Sequence, residues 1–444
     1  MEKKYSKQEA IEEAKRCLNC ANPQCVKACP LSNNIPGFIQ YIKNEDFDDA
    51  YNELLKTTIL SEVCSRVCPM EKQCMAHCVR GIKGEPININ KLEGFVADYM
   101  HEDNRYTKFM ENISEGIEEK KNIQVAVIGT GPSSIACAYE LVKIGYTVTM
   151  FEKESFFGGI LAYGIPEYRL PKEVVKVVQS KLENLGVKIQ VNHEYGKDIT
   201  EEMLLNEGYK AIFLGIGLQS SSMLNVEGKD LANVYSGNEF LYFVNSPNNG
   251  INSKIDLNDI KDKNVVVVGG GNVAIDCAIS AKKLGAKTST LVYRRTENEL
   301  LMEKSERELA EELNVEFNYL SLPVKFIGDK KVEQIECVKM CLGEVDNTGR
   351  RTPIVQNGTN YIIDADYVVV CVGSKIDSET VLKNSKIDYD DYTIKVNEYG
   401  QTNIPYIFAG GDTCLTSNKT VAMAAKTGVI AAMGIDKYLS RQEG

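Results

Sequence analysis

Eight cysteines crowd into two short batches before residue 80, and no other feature limits the fold as tightly. The first batch is Cys17, Cys20, Cys25 and Cys29, closed by Pro30. The second is Cys64, Cys68, Cys74 and Cys78, with Pro69 directly after Cys68. Pro23, Pro30, Pro36 and Pro69 interrupt any regular element here, so the cysteines are expected on loops between short helices. Eight thiolates are enough to hold two four-iron clusters.

Two simpler uses of the thiols fit the sequence less well. Disulfides suit an oxidising compartment, but Met1-Glu2-Lys3-Lys4 runs into polar, helix-like sequence that does not read as a secretory signal. Zinc motifs pair two Cys-x2-Cys knuckles across a spacer, and only Cys17 and Cys20 are spaced that way. The cysteine–proline steps resemble the ferredoxin run, in which the last cysteine reaches across to the other cluster. Iron–sulfur is the reading on ligand count and spacing.

The net charge of −11 argues against nucleic acid as the main partner, because phosphate neutralisation needs a basic face. No apolar run approaches the length of a membrane-spanning helix. With 43% hydrophobic and 25% charged residues, a cytoplasmic protein of two or three domains is expected.

Residues 1–120 read as an α-helical domain, with helical periodicity over Lys7–Leu18 and Asp46–Thr57 and a polar linker over Glu111–Lys121. At Ile123 the pattern changes. Ile123–Ile128 is a buried strand, followed by a glycine turn, a helix over Pro132–Ile144 and a strand over Thr147–Glu152. The order recurs with Val265–Val268, Gly269–Gly271, a helix over Asn272–Leu284 and a strand over Thr290–Tyr293. Apolar passes at Tyr367–Gly373 and Tyr406–Asp412 precede a helix over Asn418–Leu439. The predicted class is α/β, with two Rossmann-like dinucleotide domains behind the helical one. The late strands are expected to return to the first sheet, giving one domain over 121–235 and 366–444 with the second, 236–365, inserted.

Gly129-Thr-Gly131-Pro132-Ser133-Ser134 follows a strand and opens a helix, the context a dinucleotide fingerprint requires. The first glycine permits the turn, and the second lets the backbone approach a pyrophosphate at the helix N-terminus. Glu152, at the end of the next strand and before Lys153, is placed to bind a ribose hydroxyl. Gly269-Gly270-Gly271-Asn272-Val273 is the second fingerprint. Its next strand ends in Arg294-Arg295 instead of an acid, which favours the 2′-phosphate of NADPH over NADH.

Several blocks now occur in a fixed order: the cysteine batches, Gly129-Thr-Gly131-Pro132, the stretch from Phe157-Gly158-Gly159 through Arg169 to Lys172, Gly269 to Asp276, and Ala409-Gly410-Gly411-Asp412. Over nearly its whole length the chain resembles the small (β) subunit of bacterial glutamate synthase. It is also similar to the large subunit of NADH-dependent ferredoxin:NADP oxidoreductase and to the N-terminal part of dihydropyrimidine dehydrogenase. The resemblance implies FAD in the first dinucleotide domain, NAD(P)H in the second, and two 4Fe–4S clusters in the helical one. It places Gly158, Gly159 and Arg169 beside the flavin, and Gly411 and Asp412 at its ribityl-phosphate end; Gly373 is counted with the cofactor residues. It further implies that Cys17, Cys20, Cys25 and Cys78 hold one cluster, and Cys29, Cys68 and Cys74 the other. The fourth ligand of the latter is either Cys64 or Glu93, because some relatives supply a glutamine or glutamate near that place.

The remaining cysteines read as packing residues, Cys371 within a buried strand, and only Cys414 lies near the flavin end. His77, His101 and His193 join no recognisable constellation. Hydride delivery to a flavin and single-electron release to clusters need no catalytic acid or base. A larger catalytic or second flavin subunit is expected to receive the electrons. Rival readings are a subunit of an electron-bifurcating transhydrogenase or of a dihydropyrimidine dehydrogenase, a self-contained flavin reductase, and a zinc-bound docking module. No Cys-x-x-Cys near the flavin motifs supports a disulfide reductase.

Overall fold

A computed structural model describes residues 4–101, 105, 121–218, 220–246, 255, 257–346, 349–376, 385–390, 393–415 and 419–442. The chain divides into two compact units, one of residues 1–162, 167–219 and 376–444, the other of 163–166 and 220–375. The polar stretch 111–120, read as a linker, lies outside the described residues.

The first unit begins with helices α1 (Lys7–Lys15), α2 (Gln24–Ala28), α3 (Ile35–Lys43), α4 (Phe47–Leu55), α5 (Ser61–Val67) and α6 (Ile89–Met100). Ser6 opens α1 with a capping box, accepting from Glu9 N while the Glu9 carboxylate accepts from Ser6 N. Pro36 does not break a loop as the sequence suggested. It sits in the first turn of α3, where its missing N–H is not needed. Cys25 and Cys64 likewise lie in α2 and α5 instead of loops. Phe38, Ile42, Tyr51, Leu54, Val63, Leu92 and Val96 form the buried centre of this domain.

The strands β1 (Gln124–Ile128), β2 (Thr147–Glu152), β3 (Lys188–Val191) and β4 (Tyr209–Leu214) then build a parallel sheet, with α7 (Pro132–Lys143) between β1 and β2 and α8 (Lys172–Asn184) before β3. Val125, Ala126, Val127 and Ile128 are all buried, as a strand covered on both faces requires.

The second unit holds β5 (Val234–Ser236), α9 (Gly237–Asn245), β6 (Asn264–Val268), α10 (Asn272–Lys283), β7 (Thr288–Tyr293), β8 (Glu316–Tyr319) and β9 (Tyr367–Val370). Its parallel sheet has the order β5-β9-β6-β7-β8, and an antiparallel meander over 321–364 precedes β9. The Tyr367 strand therefore does not return to the first sheet. It pairs with β6, Val368 opposite Val266, because its three buried valines complete this core. The unit accordingly takes in 220–375 instead of 236–365. Among the described residues of the late segment, β10 (Ile407–Ala409) rejoins the first sheet, beside β4, in the order β10-β4-β1-β2-β3. It leads into α11 (Val421–Ser440). Among the described residues no helix is long and apolar enough to cross a membrane.

Candidate functional site

Cys17, Cys20, Cys25 and Cys78 line one cavity, together with Ile35, Pro36, Ile39, Ile87 and Ile89. Three come from the loop and short helix after α1 and the fourth from more than fifty residues later, so the tertiary fold brings them together. Burial, with Cys78 and Cys17 close by, pushes the Cys25 thiol up to about 11. The backbone N–H of Ile87 donates to Cys78 Sγ at 3.5 Å, a contact of the kind that tunes a cluster-bound sulfur.

Cys29, Cys68, Cys74, Cys64 and Glu93 form the second group. Burial raises the Cys74 thiol, and Glu93, Cys29 and Cys68 add to it by their nearby negative charge. Cys64 is hydrogen-bonded to Cys68 and buried. Glu93, 4% exposed on α6, faces Cys68 and Glu62, and its carboxyl is raised well above the ordinary range, first by burial. A carboxylate so placed calls for a cation, and an iron of a cluster meets that demand. Among the described residues no three Cys, His, Asp or Glu side chains converge tightly enough to hold a single metal ion. A four-iron cube takes one ligand at each iron, so its ligands stand wider apart than those of one ion. The donor sets fit two such clusters.

His77 is exposed to the side, its Nδ1 2.7 Å from Gln73 O. His101 differs from the sequence reading, since its Nε2 lies 3.1 Å from Glu62 Oε1. Glu62 also accepts from Tyr51 Oη at 2.6 Å and from the Nζ of Lys181, which α8 contributes. That buried cluster of Tyr51, Glu62, His101 and Lys181 was not legible in the sequence. The only available signal was a lysine at an apolar position of an amphipathic helix.

At the first glycine loop, Gly129 has φ +88°, and a Cβ there would stand 2.6 Å from Gly215 O, so only glycine makes this turn. Gly131 has nothing within 4 Å where a Cβ would be, leaving an open cradle at the N-terminus of α7. Pro132 takes the first helical position, and Ser134 donates to Ile128 O at 3.3 Å. Glu152 accepts from Thr130 N at 3.0 Å and Thr130 Oγ1 at 2.6 Å, so it fixes the loop, a role the sequence did not suggest. Lys153 beside it is exposed. Gly158 N donates to Thr130 Oγ1 at 2.9 Å, and a Cβ on Gly159 would lie 3.2 Å from Gly131 Cα. Gly411 (φ +69°) closes the far side, where a Cβ would meet Ser133 Oγ at 2.6 Å. Burial raises the neighbouring Asp412 carboxyl. Gly428 lets α11 approach α7, since a Cβ there would stand 2.0 Å from Ser133 O. Arg169 is half-buried in the turn before α8. The open cradle above Gly131, ringed by glycines and a helix N-terminus, fits the pyrophosphate of FAD.

At the second loop, Gly269 (φ +153°) lies against Cys371 O, Gly270 against the Tyr293 ring, and Gly271 again faces open space before Asn272 and Val273. Gly373, φ +122°, also has nothing within 4 Å of its missing Cβ. The two arginines part company. Arg294 is exposed, whereas Arg295 is 4% exposed, donating from Nε to Arg351 O at 2.7 Å and from Nη2 to Asp346 at 2.9 Å. Cys371 falls just past β9 and is half-buried, not inside the strand.

Two dinucleotide-type sheets with glycine loops, one of them joined to a helical domain carrying two cysteine groups, define an NAD(P)H-dependent flavin oxidoreductase with an iron–sulfur domain. Residues 123–428 match the pyridine nucleotide-disulphide oxidoreductase family, and residues 1–105 match the 4Fe–4S cluster domain II of dihydropyrimidine dehydrogenase. The chain is 34% identical to the glutamate synthase (NADPH) small chain of Halomonas elongata, covering 98% of this chain and 92% of that one. It is 35% identical to the NADP(+)-dependent formate dehydrogenase subunit beta of Moorella thermoacetica, over 94% of this chain but only 60% of that one. The fold is that of Mycobacterium tuberculosis FprA, solved with NADPH (TM-score 0.62, 20% identity, 73% of this chain and 86% of that one). The chain belongs to the pyridine nucleotide-disulphide oxidoreductase family, with glutamate synthase small chains among its full-length relatives.

Proposed function

We propose that this chain is the electron-input subunit of a larger complex of the glutamate synthase type, drawing on NADPH and delivering to a partner subunit. When bound, NADPH supplies hydride, FAD converts it to single electrons, and the clusters carry these onward. The observation that carries the reading is the fastening of the cysteine domain onto the flavin sheet. Tyr139 on α7 donates to Leu55 O at 2.9 Å, and Lys181 on α8 pairs with Glu62 on α5, two residues before Cys64. Electron passage needs such a fixed separation, which an independently hinged domain does not keep.

In this reading Cys17, Cys20, Cys25 and Cys78 hold one cluster, and Cys29, Cys68, Cys74 and Glu93 the other, with the Cys64 thiol hydrogen-bonded to Cys68. Gly129, Gly131 and Gly411 leave room for the flavin's phosphates, and Glu152 holds the loop that meets them. Arg294 receives the 2′-phosphate of NADPH, while Arg295 braces the strand end from behind. The test is an iron, sulfide and flavin assay on anaerobically purified protein, then stepwise NADPH addition. About eight irons and one FAD per chain, with the flavin bleached by NADPH, supports the reading. Zinc in place of iron, with the flavin still reducible, leaves a simple flavin reductase and removes the electron path.

A further inference from the structure

Cys277 on α10 and Cys371 at the end of β9 lie with their sulfurs 3.8 Å apart. They are 94 residues apart in sequence and share no motif. Cys277 is wholly buried and also donates to Gly237 O at 3.7 Å; Cys371 is half-buried. Their position is specific. In the order β5-β9-β6-β7-β8, successive connections run to opposite sides of β6, so the crevice between the carboxyl ends of β6 and β9 is the switch point where such sheets bind ligands. Cys371 stands at that crevice, against the first glycine of the loop.

We propose that Cys277 and Cys371 form a thiol pair that closes to a disulfide by exchange with a low-molecular-weight disulfide, and that closure weakens dinucleotide binding at the adjoining loop. The proposal rests on reading residues 220–375 as the NADPH-binding unit. Of the two, only Cys371 is part-exposed, so its thiolate attacks one sulfur of the incoming disulfide and releases the first small thiol. The Cys277 thiol then loses its proton and attacks Cys371 Sγ, releasing the second. Two protein thiols are oxidised to one disulfide, and the small disulfide is reduced to two thiols. Burial and the neighbouring Cys371 keep Cys277 protonated, consistent with its acting second.

The coupling to the loop is steric. Bonded sulfurs stand about 2.05 Å apart, so closing from 3.8 Å moves Cys371, α10, or both. The backbone of both neighbouring glycines runs close to Cys371. A Cβ on Gly269 would lie 2.6 Å from Cys371 O, and one on Gly237 would lie 2.6 Å from Cys371 Sγ. Movement at Cys371 is therefore passed to the turn that the dinucleotide phosphates must meet.

The test uses the anaerobic holoprotein treated with glutathione disulfide, a milder reagent toward clusters than peroxide. Free thiols are alkylated, peptides are mapped without reduction, and NADPH binding is titrated in parallel. The expected result is a Cys277–Cys371 linked peptide and a rise of about tenfold or more in the NADPH Kd, both reversed by dithiothreitol and both absent from Cys277→Ser and Cys277→Ala. Glutathione retained on Cys371 with no linked peptide overturns the pair. A linked peptide with unchanged NADPH binding overturns the switch. Reduced protein that binds no NADPH sinks the nucleotide reading of this unit and the switch with it, and the peptide map then reports on the thiol pair alone.

Discussion

The ammonium of Lys181 is wholly buried and hydrogen-bonded to the Glu62 carboxylate, joining the flavin domain's α8 to the helix that carries Cys64. Tyr51, Ser61 and His101 also surround that carboxylate, and Lys181 Nζ sits 5.0 Å from the centre of the Tyr51 ring. A buried ion pair adds little net stability against an apolar pair, but breaking it from one side is costly, because the remaining charge stays buried.

Lys181→Met should therefore destabilise the holoprotein by about 3–5 kcal/mol, read as a lower thermal midpoint. Adding Glu62→Gln should recover part of that loss. A Lys181→Met protein as stable as the parent would mean that the pair is not buried in solution.

The same carboxylate makes a pH prediction. Burial alone would raise Glu62, but the Lys181 ammonium and His101 outweigh it and hold the carboxyl well below the usual range. A depressed carboxyl contributes its stability in full above the unfolded value of about 4.3 and loses it as pH falls below that value toward the folded one. The melting-temperature gap between parent and Glu62→Gln should stay level from pH 8 to about pH 5 and narrow below about pH 4. A gap that stays level down to pH 3 would show that the Glu62 carboxyl is not depressed in the fold.

Arg294 and Arg295 predict different phenotypes. Losing a charge-assisted contact costs about 1.5–3 kcal/mol, so Arg294→Glu should raise KM for NADPH by roughly ten- to a hundredfold and leave NADH nearly unchanged. Arg295→Ala breaks the contacts to Asp346 and Arg351, and its effect should appear in stability with both cofactors affected alike. Equal loss of NADPH and NADH in Arg294→Glu would remove the 2′-phosphate assignment.

Glu93→Ala should alter one cluster's electron paramagnetic resonance signal, since exchanging a ligand changes the cluster's charge and potential. Cys64→Ala should leave the number of irons unchanged. The reverse pattern moves the fourth ligand to Cys64.

The two glycines of the first loop should also separate. Gly129→Ala places a Cβ against Gly215 O at a positive φ and should impair folding. Gly131→Ala meets no protein atom within 4 Å, so it should fold normally and bind FAD at least tenfold more weakly, by filling the phosphate cradle. Unchanged FAD affinity in Gly131→Ala would place the phosphates elsewhere.

Much of this was legible in the amino-acid order, because the signals were local. Glycine turns between apolar strands and small-residue helices are set by backbone conformation over a few residues, and the loops at Gly129 and Gly269 follow from it. The cysteine batches are likewise a short-range pattern. Tertiary structure decided what depends on long-range pairing. The Tyr367 strand has no sequence mark for one sheet over the other, and it joined β6 because its buried aliphatics complete that core. Arg294 and Arg295 are adjacent and identical in type, yet the bend after β7 exposes one and buries the other against Asp346. Lys181 with Glu62, and Cys277 with Cys371, are single residues whose chemistry appears only when distant segments meet. Local order determined which cofactor motifs this chain carries; packing determined which side chains stand beside them.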